Sequence, residues 1–191
     1  MATELTYDAL VLSGGRARRL GGVSKPELEL AGVPLIVTAL AAASGAVRTI
    51  VVGPPTSHHP APLTVREDPA GGGPVAAIAA GVGALGDGEE WMLVLACDSP
   101  HAANAVPSLA AAASASNRGA VIGVDRGRRQ PLLAMYRRSA LEEALAAGAL
   151  EGSSMQSLLE RLEIDEVVLP AGSARDVDTW EDANELGKDL T

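Results

Sequence analysis

Two kinds of apolar run alternate along the chain. Short runs rich in Val, Ile and Leu occupy 7–13, 49–52, 63–66 and 91–96. Between and after them come Ala- and Leu-rich stretches at helical spacing, over 33–44, 74–85 and from Pro100 to about 116. The run 91–96 is continuously apolar, as expected of a central strand covered on both faces. Strand alternating with helix predicts an α/β protein with a mainly parallel sheet, a single-domain, Rossmann-like, three-layer α/β/α sandwich.

Local signals set the expected boundaries. Pro34 suits the first turn of one helix and Gly45 its stop, and Pro74 opens another. In the second half, 120–124 and 131–136 read as strands flanking a turn at 125–129. Helices are expected over 139–147 and 153–162, then a strand over 164–169. Thr179 should cap a last helix, with Glu181 and Asp182 in its first turn. The chain contains no internal repeat and no linker long enough to divide it, so one domain over 1–191 is expected.

Composition narrows the class. The chain has 191 residues, 47% of them hydrophobic but only 2% aromatic, so Ala, Val and Leu must build the core. A net charge of -9 argues against a general nucleic-acid binder, which needs a broad basic face. The one cysteine, Cys97, excludes an intrachain disulfide and fits a reducing compartment. No leader-like amino terminus and no membrane-spanning run are evident, so a cytoplasmic protein without membrane partners is expected.

Against that acidic background, the loop after the first strand is basic. Gly14 and Gly15 allow a sharp turn with backbone N–H groups near a ligand, and Arg16, Arg18, Arg19 and Lys25 follow. A ligand carrying several phosphates accounts for this charge. The spacing is Gly-Gly-x-x-x-Arg-x-Gly-x-x-x-Lys, which fits neither the P-loop nor the G-x-G-x-x-G fingerprint.

Other residues add candidate chemistry. Asp98 follows the central strand, where open α/β sheets bind ligands, and could anchor Mg²⁺ or cap the next helix. Cys97 reads as a small buried hydrophobe. In an extended segment Asp176 and Asp178 would share one side, facing a metal or capping the last helix. Glu67 and Asp68 precede Gly71–Gly73, a loop suited to a base edge or a plain turn. His58, His59 and His101 lack metal-ligand spacing and read as surface residues. Arg126, Arg128 and Arg129 form a solvated tip that could also grip a second phosphorylated substrate.

Together these motifs resemble those of the molybdenum cofactor guanylyltransferases, the MobA-type branch of the nucleotidyltransferases. The matching pieces are the loop from Leu12 to Lys25, Glu67-Asp68 with Gly73-Pro74, Leu95 to Pro100, Gln130 to Ala134 and Asp176 to Thr179. The resemblance implies a nucleotide-diphospho-sugar transferase-like fold that transfers GMP from GTP to a molybdopterin-type phosphorylated cofactor. It implies nucleotide contacts at Leu12, Ser13, Gly14, Gly15, Lys25, Gly53, Asp68, Gly73 and Asp98. Catalytic roles fall to Arg19, Lys25 and Asp98, and Mg²⁺ to Asp98 with Asp178. Molybdoenzymes or cofactor-biosynthesis proteins are the implied protein partners. Departures are Ser13 for Ala, Leu20 for Met, Pro26 after the lysine, Gly53 for Asn, Ala77 for Gly, and Asp176 and Asp178 for an Asn pair. Two other readings stay open. One is a nucleotidyltransferase using CTP or another acceptor such as a sugar phosphate; the other is a non-catalytic nucleotide- or cofactor-binding protein.

Overall fold

The structure is a computed structural model, which describes residues 5–14, 24–56 and 63–188. Gly15, Arg16, Arg18, Arg19, His58 and His59 lie outside the described residues. In chain order the elements are β1 (Tyr7–Leu12), β2 (Glu29–Leu30), β3 (Val33–Pro34), α1 (Leu35–Ala42), β4 (Thr49–Val52), β5 (Thr64–Val65) and α2 (Pro74–Leu85). There follow β6 (Trp91–Ala96), α3 (Val106–Ala115), β7 (Ala120–Asp125), β8 (Arg128–Arg137), α4 (Arg138–Ala146), α5 (Met155–Leu159), β9 (Ile164–Val168) and α6 (Trp180–Lys188).

Seven strands form one sheet in the order β5-β4-β1-β6-β8-β7-β9. β1 runs parallel to β4 and β6, while β8 is antiparallel to both β6 and β7. Side chains alternate across this sheet with the strand period of two. Ala9 and Val11 pack with Ile36 and Ala39 of α1 and Leu109 of α3. Leu10 and Leu12 pack on the other face with Ile78 of α2, Leu141 of α4 and Leu158 of α5. This makes the expected three layers. A third, smaller core joins Leu28, Leu30 and Leu35 to Val177, Ala183 and Leu186, clamping the carboxyl-terminal segment onto the β2–β3 hairpin.

Several boundaries move, each for a local reason. Val33 and Pro34 pair with Leu30 and Glu29, so α1 begins only at Leu35, with Pro34 extended as its N-cap. The alanine-rich stretch after Pro100 is not one helix. A 3-10 turn, Ala102–Asn104, precedes α3, because Pro107 is tolerated only in a first turn. The turn joining β7 and β8 takes just two residues, Arg126 and Gly127, both at positive φ (49° and 74°). α5 is half the expected length, starting at the Ser154 cap, whose hydroxyl accepts from the Ser157 amide.

One buried charge was not anticipated. Asp8 lies inside β1 with no solvent exposure. Its carboxylate accepts from Arg48 Nε (3.1 Å) and Nη2 (2.7 Å), Arg138 Nη2 (2.6 Å) and the Glu89 amide (3.1 Å). Arg48 and Arg138 also donate to the carbonyls of Leu85, Gly86, Asp87 and Glu89, tying the loop after α2 to the start of α4.

Candidate functional site

From β1 the chain crosses to β4 on one side and later returns to β6 on the other. Connections therefore diverge at the carboxyl end of β1, leaving a crevice where α/β sheets bind ligands. Three strand ends are tied together there. The Cys97 amide donates to Leu12 O (2.9 Å), and the Ser13 amide to Val52 O (2.8 Å). Gly53 follows at φ 152°, a conformation that favours glycine, and a Cβ there would lie 2.3 Å from Ser13 Oγ and 2.8 Å from the Gly14 amide nitrogen. Gly53 thus lets the Ser13–Gly14 turn sit directly against β4. Ser13 departs from expectation in one respect. Its amide and its hydroxyl (3.3 Å) both go to Val52 O, so it braces the turn rather than offering a donor to phosphate.

Lys25 opens a 3-10 turn, Lys25–Glu27, in which Pro26 is buried. Proline after the lysine therefore fixes the turn that aims the side chain. Lys25 Nζ donates to Asp98 Oδ2 (2.6 Å) and Asp178 Oδ1 (2.8 Å). Burial alone would lower the lysine's proton affinity, but the two carboxylates outweigh it and the pKa is raised. Lys25 is accordingly an ammonium.

The carboxyl-terminal motif reaches this point through its backbone. The Val177 amide donates to Asp98 O (2.9 Å), with Val177 fully buried and Asp176 and Asp178 exposed on its other side. Burial, then the negative charges of Asp178 and Asp98, raise the Asp176 pKa. Capping is handled separately. Thr179 Oγ1 accepts from the Asp182 amide (3.1 Å), and Asp182 Oδ2 accepts from the Thr179 amide (2.8 Å). Asp182, not Glu181, completes this reciprocal box.

Asp98 caps no helix; its carboxylate turns to Lys25. Cys97 is buried, and burial with the Asp98 charge pushes its thiol up to about 12, so it is no nucleophile. Asp68 is exposed beside Pro69, while Glu67 accepts from the Gly71 amide (2.9 Å). Gly73, at φ 92°, is the N-cap of α2. Among the described residues neither Asp68 nor Gly73 hydrogen-bonds to the Lys25 cluster. His101 is half-buried and, among the described residues, joins no group of three or more possible metal ligands.

Could the cluster hold a divalent cation? Asp98 and Asp178 are hard oxygen donors, close enough together to grip one ammonium. Among the described residues no three His, Cys, Asp or Glu side chains converge to cage a metal unaided. Two carboxylates are a donor set that Mg²⁺ can take, its shell completed by water and substrate phosphate.

Beyond Asp98 lies a cleft of about 520 Å³, lined by Asp98, Ser99, Asp176, Met155 and β8 residues 128–133. A bulge in β8 shapes it. Pairing steps from Ile122↔Ala134 to Gly123↔Gln130, leaving residues 131–133 looped out from β7. Leu133 O comes within 2.8 Å of where a Cβ on Gly123 would stand, and Tyr136 Oη donates to Pro131 O (2.7 Å). Sequence reading missed this wall. Its signals were a glycine and a proline inside two strand runs.

The fold sets a lysine–carboxylate cluster at the ligand-binding edge of an α/β sheet, and comparison with known proteins gives the family. The family model for the MobA-like NTP transferase domain matches residues 9–167. The molybdenum cofactor guanylyltransferase of Acidiphilium cryptum (strain JF-5) is 34% identical over 149 residues, 75% of this chain and 70% of that protein. That of Shewanella amazonensis is 30% identical over 155 residues, 76% and 78% of the two chains. Among solved structures, the molybdopterin-guanine dinucleotide biosynthesis protein A from Archaeoglobus fulgidus has a TM-score of 0.71 at 24% identity, covering 96% of this chain and 98% of that one. A 2-C-methyl-D-erythritol 4-phosphate cytidylyltransferase from Thermus thermophilus shares the fold at TM-score 0.69 and 20% identity, covering 97% and 98%. The chain belongs to the MobA-like NTP transferase family and is a nucleotidyltransferase. Asp176 and Asp178 lie beyond the matched residues. Among the described residues no helix is long and apolar enough to cross a membrane.

Proposed function

We propose that the chain transfers GMP from GTP to the phosphate of a molybdopterin-type cofactor, releasing pyrophosphate. The observation that carries this reading is Lys25 held between Asp98 and Asp178 at the carboxyl end of β1 and β6. An oxygen of the acceptor phosphate attacks the α-phosphorus of GTP. The bond from that phosphorus to the bridging oxygen breaks, and its electron pair leaves on pyrophosphate.

The protein's part is to position the groups and neutralise charge. Gly14 and Gly15 bring the backbone against the triphosphate, with Arg19 from the same loop. The Lys25 ammonium offsets the charge that builds on the leaving pyrophosphate. Leu12, Gly53, Asp68 and Gly73 border the nucleotide, Asp68 and Gly73 on the base side. Asp98 and Asp178 would hold Mg²⁺, which when bound supplies Lewis-acid neutralisation of phosphate oxygens. Residues 1–191 act as one domain in the cytoplasm, and molybdoenzymes or cofactor-biosynthesis proteins are its partners.

Pyrophosphate release with molybdopterin and either GTP or CTP tests the reading. GTP should support turnover, and Lys25→Ala and Asp98→Ala should each lower kcat by about 10²–10³ while leaving the fold intact. Turnover with CTP alone overturns the base assignment. Unimpaired mutants overturn the mechanism, and no release with either nucleotide favours a binding protein.

A further inference from the structure

The cleft beyond Asp98 carries charge of both signs. Asp98 and Asp176 line it together with Arg128 and Arg129, and Pro131, Leu132, Met155 and Ala174 add apolar wall. Leu95 pairs with Leu133 in antiparallel register, so residues 128–132 run on past the end of β6. The start of β8 therefore carries Arg128 beyond the last β6–β8 pair, away from the strand end that Asp98 follows. Arg129 is paired with Glu166 (2.6 Å), whereas Arg128 has no carboxylate partner among the described residues. An unpaired guanidinium on the rim of a cleft, in a chain of net charge -9, is a preformed seat for an anion.

A reacting phosphate must sit at the Lys25–Asp98 end, so whatever meets Arg128 is a different part of the acceptor. We propose that Arg128 binds a second anionic group of the acceptor, separate from the phosphate that receives the nucleotide. Resting on the proposed function, that group is the sulfur pair of the molybdopterin-type ene-dithiolate. Its body lies over Leu132 and Met155, and its thiolates accept hydrogen bonds from the guanidinium. Arg128 is thus a specificity residue for acceptors with two separated anionic groups, distinct from the residues that handle the triphosphate.

The test compares molybdopterin with its bis-S-alkylated derivative, in which the sulfurs carry no charge, using GTP and pyrophosphate release. Wild type should show a KM about tenfold lower for the thiolate form, the size of one charge-assisted contact. Arg128→Ala should raise the KM for the thiolate form about tenfold, leave that for the alkylated form unchanged and so erase the preference, with the KM for GTP unmoved. Arg128→Lys should restore part of the preference. Arg126→Ala, on the same exposed tip but outside the cleft lining, should match wild type. An Arg128→Ala effect equal on both acceptors, or on neither, overturns the inference while the proposed function stands. Wild type that releases no pyrophosphate with either acceptor overturns the proposed function and the inference with it.

Discussion

Replacing Asp8 by Asn should destabilise the fold without touching the chemistry. The carboxylate is fully buried and receives four hydrogen bonds, three from guanidinium groups and one from the Glu89 amide. Asn keeps the volume but turns N–H groups toward arginines that have nothing to accept with. Removing one partner of a buried ion pair costs about 3–5 kcal/mol. Arg48 is 41% exposed at its side chain and can turn to water, which favours the lower end, about 3 kcal/mol. For a chain of this size the melting temperature should fall by about 6–12 °C at pH 7. Burial by itself would raise the Asp8 pKa, but the Arg48 hydrogen bonds, the Glu89 amide and the charges of Arg48 and Arg138 outweigh it and lower it from 3.8. A carboxyl with a depressed folded-state pKa contributes stability above its unfolded value and loses it as pH falls through the folded value. The gap between wild type and Asp8→Asn should therefore be constant at neutral pH and close below about pH 4. Thermal melts from pH 7 to pH 3, followed by circular dichroism, measure this. A mutant melting within about 2 °C of wild type at pH 7, or a gap that persists unchanged at pH 3, would refute the reasoning.

Two further predictions separate site geometry from reactivity. Gly53→Ala forces a Cβ against Ser13 Oγ and the Gly14 nitrogen at a strained φ, so it should cost about 1–3 kcal/mol and raise the KM for GTP more than that for the acceptor. An unchanged KM for GTP would separate that turn from the nucleotide. Cys97, 3% exposed and with its pKa pushed up to about 12, should resist iodoacetamide at pH 8 in the native protein and react once unfolded in urea, as mass spectrometry would show. Rapid native labelling would mean that the β6 end opens in solution.

Where the sequence carried a strong local signal, it was read well. β4, α2 and β6 begin and end where the apolar runs do, because glycine and proline punctuate them. Lys25, Asp98 and Asp178 were named from three distant motifs, and the structure brings them into one set of contacts. What stayed hidden depended on non-local geometry. Nothing around Asp8 marks it as buried, since its partners Arg48 and Arg138 are 40 and 130 residues away. The bulge opposite Gly123 cannot be read from periodicity, because looping out three residues resets the alternation within one strand. Ser13, named among the nucleotide contacts by resemblance, has both its amide and its hydroxyl turned to Val52 O, a pairing across strands that the sequence does not mark.

The small core that clamps Val177, Ala183 and Leu186 onto Leu28, Leu30 and Leu35 links two distant stretches of chain. One stretch begins three residues after Lys25, and the other carries the carboxylate that Lys25 holds. Leu186 is far from Lys25 in sequence, yet loosening it would free Asp178 and shift the charge balance of a site defined by the first strand. Truncation after the last strand would remove an anion from the Lys25–Asp98 cluster as well as a helix. Changes near the carboxyl terminus should therefore be judged by nucleotide transfer as well as by melting.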